Sequence, residues 1–340
     1  MAVTHQDIAD KVGLSRAIVT QALHRSRSVR VSTETRRLVQ QAADEMGYQH
    51  RARTTHTVGY VVQLESLASE TEGLFMTWVE AALRARGYRI SLVGVDSQPF
   101  AEIGEMVSAK MVDGVLIRNW HHGQVREVIS EQVPFVAITD EDGIGDGVDV
   151  VTTDPYLTAQ HIVNHLLERS HSRLALMTTD LGNRYYRLVR EGAEYAVLRS
   201  GLPGVHLQIV RGKVADIPNQ VTELMSGTAA PTAIIVDDLF HAAPVLYALR
   251  DHGYRIPSDI SMVSLCDSVQ FPAMCPVLTA TDQHRPELAE RAVERLLQKI
   301  HQPETIPTKT LLAGQILERG SVGPPSCTQK NNQSGQETIL

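Results

Sequence analysis

Ser15 opens a short run, SRAIVTQALH, whose residue types and spacing suit contact with nucleic-acid bases and phosphates. Wound at helical period, Val19, Ala22 and Leu23 fall on one face. Arg16, Ala17, Thr20, Gln21 and His24 fall on the other. Arginine can donate two hydrogen bonds to guanine, glutamine can pair with adenine, and an alanine methyl can rest on thymine. The hydroxyls of Ser15 and Thr20, and the guanidinium groups of Arg25, Arg27 and Arg30, are of the kind that bond phosphate oxygens. A plainer reading of 25–30 is a solvated basic loop.

Three short helices would position these groups. Thr4 can cap THQDIADKV, with Asp7 in the first turn and Ile8 and Val12 on a shared face. Gly13-Leu14 breaks that helix, and Ser15 caps the second, which runs to about His24. Ser32 caps a third, on which Leu38, Ala42 and Met46 repeat at every fourth residue as its apolar face, and Gly47 ends it. Three helices with a three-residue turn between the first two describe a helix-turn-helix unit. A generic three-helix bundle is the alternative.

Charge is unevenly placed. The net charge is −7, yet residues 1–56 carry +4 and the remainder −11. A cationic head on an acidic body can still bind phosphates, because salt confines charge interactions to about 8 Å. The 340 residues, 43% hydrophobic and 21% charged, allow more than one globular unit. Cys266, Cys275 and Cys327 form no paired-spacing motif, so neither a disulfide framework nor a zinc site is expected, and a reducing cytoplasm fits. No apolar stretch is long enough to span a membrane, and MAVTHQDIADK lacks the apolar run of a signal peptide.

From Thr57 onward the pattern alternates. Apolar strands are expected at 58–64, 88–93, 113–117, 133–138, 173–178, 206–211, 232–236 and 260–265, with helical segments between them. Strands apolar throughout imply parallel sheets covered on both faces, hence an α/β class. A stretch this long exceeds one such sheet, so two lobes are expected, with ligands bound in the cleft at the strands' carboxyl ends. Residues 321–340 are polar and read as a disordered tail without leucine heptads.

The order DIADKVGLSRAIVTQALH then VSTETRRLVQQAADEMGY resembles the head of the lactose-repressor/galactose-repressor (LacI/GalR) family. The similarity continues through VDGVLI (112–117), VPFVAI (133–138) and Asp154. HLLERSHSRLALM (165–177) follows, with Ser170 where the family has glycine. The stretches at 231–268 and 276–297 complete it. The resemblance implies a transcriptional repressor, a homodimer on a near-palindromic double-stranded DNA operator. Residues 1–48 form its helix-turn-helix head, 49–57 a linker and 58–320 a periplasmic-binding-protein-like core. One lobe would hold about 58–151 and 282–302, the other 152–281 and 303–320, with three crossovers between them. The second helix would enter the major groove with Arg16, Ala17 and Gln21 on base edges.

Two departures stand out. The family's longer linker forms a hinge helix that wedges a leucine into the minor groove. Here QHRARTTHT (49–57) is about half that length and holds no leucine, leaving Arg51 and Arg53 for phosphates or a minor groove. In the sensor pocket, the aspartate that grips ligand hydroxyls in the family is replaced by Cys266, with Asp267 next to it. The family's pocket arginine matches Val189, with Arg187 and Arg190 nearby but off register. Asp237 stands in the usual Asn-Asp pair, and Arg118, Asp140 and Gln283 complete the candidate set for a small-molecule effector.

Other classes are weaker. His161 and His165 lie four apart and could hold a metal, but no HExxH is present, and His121, His122 and His171 lack a partner set. No Walker loop, GxGxxG or GxSxG occurs, so neither an enzyme nor a cofactor is expected. A ligand-independent, architectural DNA-binding protein with a degenerate core remains the alternative to a sensor.

Overall fold

The computed structural model describes residues 3–23, 31–46, 54–95, 111–118, 133–139, 147–178, 184–227, 229–237 and 239–326. In the head, α1 spans His5–Val12, α2 Arg16–Leu23 and α3 Thr33–Glu45. The Thr4 hydroxyl accepts from the Asp7 N–H, and the Asp7 carboxylate accepts from the Thr4 N–H at 2.7 Å. Gly13 ends α1 with φ +68°, a conformation that favours glycine. Ser15 Oγ accepts from the Ile18 N–H at 3.3 Å, and Ser32 Oγ from the Thr35 N–H at 3.1 Å. Ile8, Ala9, Val19, Ala22, Val39, Ala42 and Ala43 form the core of the head. Leu38, expected on the buried face of α3, is 49% exposed, and Val39 is buried instead. Ala42 and Met46 stay on the packed side as expected, but with α3 packed against both α1 and α2 it is Val39 rather than Leu38 that closes the core one turn earlier.

The core strands, in chain order, are β1 Thr57–Gln63, β2 Arg89–Val95, β3 Gly114–Arg118, β4 Phe135–Ile138, β5 Val150–Asp154, β6 Arg173–Thr178, β7 His206–Arg211, β8 Ala233–Val236, β9 Ser261–Ser264, β10 Thr279–Asp282, β11 Lys309–Ala313 and β12 Gln315–Leu317. The core helices are α4 Glu70–Ala85, α5 Pro155–Glu168, α6 Arg184–Ser200, α7 Ile217–Ser226, α8 Leu239–Asp251 and α9 Arg285–His301. One sheet runs β11-β5-β4-β3-β1-β2 and the other β12-β10-β9-β8-β6-β7. The pairings are parallel except β10 with β12.

Each sheet is buried on both faces, which is why its strands are apolar at consecutive positions. In the first lobe, Val58, Tyr60 and Val62 of β1 pack under α4 and α9, while Val61 faces the opposite cluster. In the second, α5 and α6 cover one face and α7 and α8 the other.

The chain crosses between lobes three times, after β5, after β10 and after β11. Asp154 ends β5 and caps α5 by accepting from the Leu157 N–H at 2.9 Å, with Pro155 in the first turn. The lobe boundaries differ from those expected. β5 stays in the first sheet to Asp154, and β11 pairs with it from Lys309↔Val150 to Ala313↔Asp154. The third crossover therefore falls at Gly314, so 309–313 belongs to the first lobe. Residues 321–323, expected in a disordered tail, are packed on the second lobe, where the buried Ser321 hydroxyl accepts from the Thr279 N–H at 2.8 Å and the Gly323 N–H donates to Ser261 Oγ at 3.0 Å. His161 Nδ1 hydrogen-bonds the Gly314 backbone at 3.0 Å, and His165 Nδ1 lies 3.0 Å from Arg169 Nη1. The histidine pair thus makes structural contacts. Among the described residues no group of three or more His, Cys, Asp or Glu could hold a metal. No helix among them is long and apolar enough to cross a membrane.

Asp149, fully buried, ties the end of the first sheet to α9. It accepts from Arg295, from Lys299 at 2.7 Å and from the Thr308 N–H at 2.9 Å. Burial pushes its carboxyl up, but hydrogen bonds from Lys299, Arg295 and Thr308 outweigh this and hold it below the usual aspartate value. A depressed folded pKa contributes stability that is present above the unfolded value and lost as pH falls through the folded one. Asp149→Asn is expected to lower unfolding free energy at neutral pH by about 3 kcal/mol. In urea melts the gap from wild type should close as pH drops below about 4. A pH-independent gap would contradict the assignment.

Candidate functional site

On the head, α2 buries Val19 and Ala22 and leaves Ser15, Arg16 and Ala17 exposed, with Thr20 and Gln21 half-buried beside them. Arg16, Ala17 and Gln21 therefore occupy the outward side of the helix. Thr20 is committed inward: its Oγ1 lies 2.9 Å from His5 Nδ1 and ties α2 to α1. Lys11 and Glu45 join α1 to α3 at 2.8 Å. Arg25, Arg27, Arg30, Arg51 and Arg53 lie outside the described residues.

Between the lobes lies a cleft of about 600 Å³. Its first-lobe wall includes Gln63, Glu70, Glu72, Phe75, Arg118 and Thr153, and its second-lobe wall Tyr185, Tyr186, Asp237, Phe240 and Cys266. Gln283 and Arg285 line it where the chain crosses from β10 to α9.

Arg118, at the end of β3, is fixed on three sides. Its Nε donates to Glu72 Oε2 at 3.1 Å, its Nη1 donates to the Ile138 carbonyl at 3.3 Å, and its guanidinium lies 4.3 Å over the Phe75 ring. Glu72 is itself 1% exposed and accepts from the Tyr60 hydroxyl. Burial pushes the Tyr60 phenol far above its ordinary range, with the Arg118 charge opposing it and the Glu72 carboxylate adding to it, so it remains a donor.

The opposite wall is a chain of hydrogen bonds. Arg285 Nη2 donates to Gln283 Oε1 at 3.2 Å, and Gln283 Nε2 donates to Cys266 Sγ at 2.9 Å. Tyr185 OH lies 3.6 Å from the same sulfur and donates to Asp237 Oδ1 at 3.3 Å. Burial pushes the Tyr185 phenol well up, with Cys266 and Asp237 adding to it. At the mouth, Glu70 bridges the lobes. It accepts from the Val269 N–H at 3.1 Å, from Gln270 Nε2 at 3.1 Å and from the Ser268 hydroxyl at 3.5 Å.

Residues 4–50 match the model of the bacterial regulatory proteins of the lacI family, and residues 163–322 match that of the periplasmic binding protein-like domain. The chain joins a lacI-family regulatory head to a periplasmic-binding-protein-like domain. The ribose operon repressor of Escherichia coli (strain K12) is 26% identical over 332 residues, covering 94% of this chain and 99% of that protein. Among solved structures, the transcriptional regulator CelR–cellobiose complex aligns with a TM-score of 0.68 at 23% identity, covering 94% of this chain and 99% of that one. The lac repressor dimer bound to operator and the anti-inducer ONPF aligns with a TM-score of 0.68 at 20% identity, covering 95% and 100%.

Within this cleft the structure gathers Arg118, Asp237, Cys266, Asp267 and Gln283. It does not bring in Arg187 and Arg190, which lie outside the lining. They sit 3.9 Å from Glu191 and Glu194, one turn further along α6, and Val189 between them is buried in the core. The helix turns these arginines away because Val189 and Ala193 must face β6. The Asp267 carboxylate is held by both Arg319 amino groups, at 2.7 and 2.8 Å. Asp140 lies outside the described residues. Sequence reading missed Tyr60, Glu72, Phe75, Tyr185 and Phe240. No local signal set Glu72 apart, because it lies in the polar first turn of α4 between Thr71 and Gly73, where an acidic residue is ordinary.

Removing one member of a buried ion pair leaves the other uncompensated. Arg118→Met is expected to lower core stability by about 3 kcal/mol. Adding Glu72→Gln, which keeps a partner for Tyr60, should recover more than half of that loss. A double-mutant cycle in denaturant measures it; additive effects would show that Glu72 and Arg118 are not coupled.

Proposed function

We propose that this chain is a DNA-binding transcriptional repressor, a cytoplasmic homodimer without cofactor or catalytic activity, whose two-lobed core binds a small-molecule effector. The observation that carries the reading is α2, which keeps Arg16, Ala17 and Gln21 on its outward side while its apolar face closes the head. Arg16 and Gln21 would select bases of a near-palindromic double-stranded operator. Ser15 and the arginines of the basic loop would hold phosphates. The relatives support it: one is by name an operon repressor, and one solved structure is a repressor dimer on its operator.

The cleft supports an effector over a ligand-independent role. Arg118 is held rigid at its wall by Glu72, Ile138 and Phe75, a costly arrangement for a surface with nothing to recognise. Although relatives are named for ribose and cellobiose, Cys266 and Val189 stand where the family places the aspartate and arginine that grip hydroxyls. Buried hydroxyls without partners are costly, so a simple hexose is a poor fit.

Binding-site selection tests the DNA reading. Full-length wild type should return a palindromic consensus, and Gln21→Ala should relax one position per half-site, reflecting a loss of about 1–3 kcal/mol of discrimination. An unchanged consensus would overturn the docking of α2. Calorimetry tests the cleft: glucose, galactose and ribose should give no binding at millimolar concentration, and micromolar binding of any of them would refute this account.

A further inference from the structure

The linker enters the core through an unusual turn. His56 has φ +51°, a left-handed conformation that a side chain disfavours and that persists only where neighbours enforce it. Here the neighbours are specific. Asp113, just before β3, accepts from the Thr55 N–H at 2.8 Å and from the Thr55 hydroxyl at 3.0 Å through Oδ1. Through Oδ2 it accepts from the His56 N–H at 2.8 Å. The His56 carbonyl accepts from the Arg89 N–H at 2.7 Å, and its ring packs on Tyr88 with centroids 5.2 Å apart. The Asp113 N–H donates to the Thr57 carbonyl at 2.8 Å. One carboxylate thus holds both backbone donors of residues 55 and 56.

We propose that Asp113 is a positioning residue for operator recognition: by clamping residues 55 and 56 to the first lobe, it sets the half-site spacing that the dimer accepts. The proposal rests on the DNA-binding reading above. From Met46, the last described residue of the head, to the clamp at Thr55 the chain can extend at most about 30 Å. β1 would remain paired with β2 and β3 from Thr57 even without the clamp. Freeing residues 55 and 56 would add about 7 Å of reach per protomer, roughly 14 Å between two heads. That corresponds to about four base pairs of B-DNA. A short tether makes the second head's effective concentration sensitive to distance, so such a change alters which spacings are tolerated. It leaves α2, and hence the bases read within each half-site, untouched.

The experiment uses full-length dimers and duplexes carrying the selected half-sites at graded separations. Wild type should show a sharp optimum. Asp113→Ala should keep the half-site consensus, while the affinity ratio between the optimum and sites two or three base pairs longer falls by about threefold or more. Asp113→Asn, which retains one acceptor oxygen and the side chain's size, should give an intermediate profile, and serves if the alanine variant does not fold. A purely structural role for Asp113 would lower melting temperature and weaken binding equally at every spacing. That result, or an unchanged profile in folded Asp113→Asn, overturns the proposal. A wild type that selects no duplex overturns the DNA-binding reading and this inference with it. A wild type with a sharp optimum shared by both variants overturns the inference alone.

Discussion

The backbone of Gly314 passes so close to two threonines that a side chain there would force them to shift, and at this contact the three crossovers between the lobes meet. A Cβ on Gly314 would lie 2.9 Å from Thr281 Oγ1 and 3.0 Å from Thr158 Cγ2. Thr158 follows the first crossover, Thr281 is next to last in the strand before the second, and Gly314 is the third. The Thr158 hydroxyl donates to the Asp154 carbonyl at 2.6 Å and accepts from the Gly314 N–H at 2.8 Å. The Thr281 hydroxyl donates to the Leu265 carbonyl. Buried donors and acceptors at a junction must all be matched, since each unmatched one costs about 1–3 kcal/mol. The lobes are consequently joined at one compact seam, where the three crossover segments are hydrogen-bonded to one another or to the adjoining strand ends.

The cleft follows from that seam. Its charges are largely paired within each wall: Arg118 with Glu72, and Asp267 with Arg319. Pairing keeps the cleft stable without ligand and fixes the direction of each donor before a ligand arrives. Such preorganisation lowers the ordering cost of binding. Glu70 differs, because its partners at 268–270 belong to the other lobe. Its hydrogen bonds exist only while the cleft is closed at that edge. The closed form thus draws on contacts of its own, and a ligand must act on top of them.

Much of this was readable in the residues, and what escaped did so for physical reasons. The head was legible because its signals are local: Thr4, Ser15 and Ser32 cap helices, and Gly13 takes the left-handed position. Leu38 misled because the choice between adjacent residues of α3 depends on two packing partners. Strands buried on both faces announced themselves as apolar runs. β5, β10, β11 and β12 did not, since VVTTD, TATD, KTLLA and QIL are short or half polar and owe their strand state to neighbours distant in sequence. The cleft was partly legible. Arg118 could be placed at a strand end, but whether Arg187 and Arg190 face the ligand depends on the rotation of α6, which Val189 decides. Ser170, where the family resemblance leads one to expect glycine, adopts φ +69°, a left-handed conformation that favours glycine.

If the core senses a ligand, as proposed above, its state must reach the head through the short segment that ends at the clamp on residues 55 and 56. β1 and β3 supply a physical route. Both begin beside the clamp on residues 55–57 and both end at the cleft, β1 at Gln63 and β3 at Arg118. At about 3.3 Å per residue each spans roughly 17–23 Å, most of the depth of the lobe. They pair directly with each other and are buried on both faces, so they move as one body. Any rotation of the first lobe against the second would carry the Asp113 clamp with it. In a dimer such a rotation would change the separation of the two clamps, and a short tether would pass that change to the heads instead of absorbing it. A short linker attached at a fixed point would thus transmit the change without folding, in keeping with the role proposed above for Asp113.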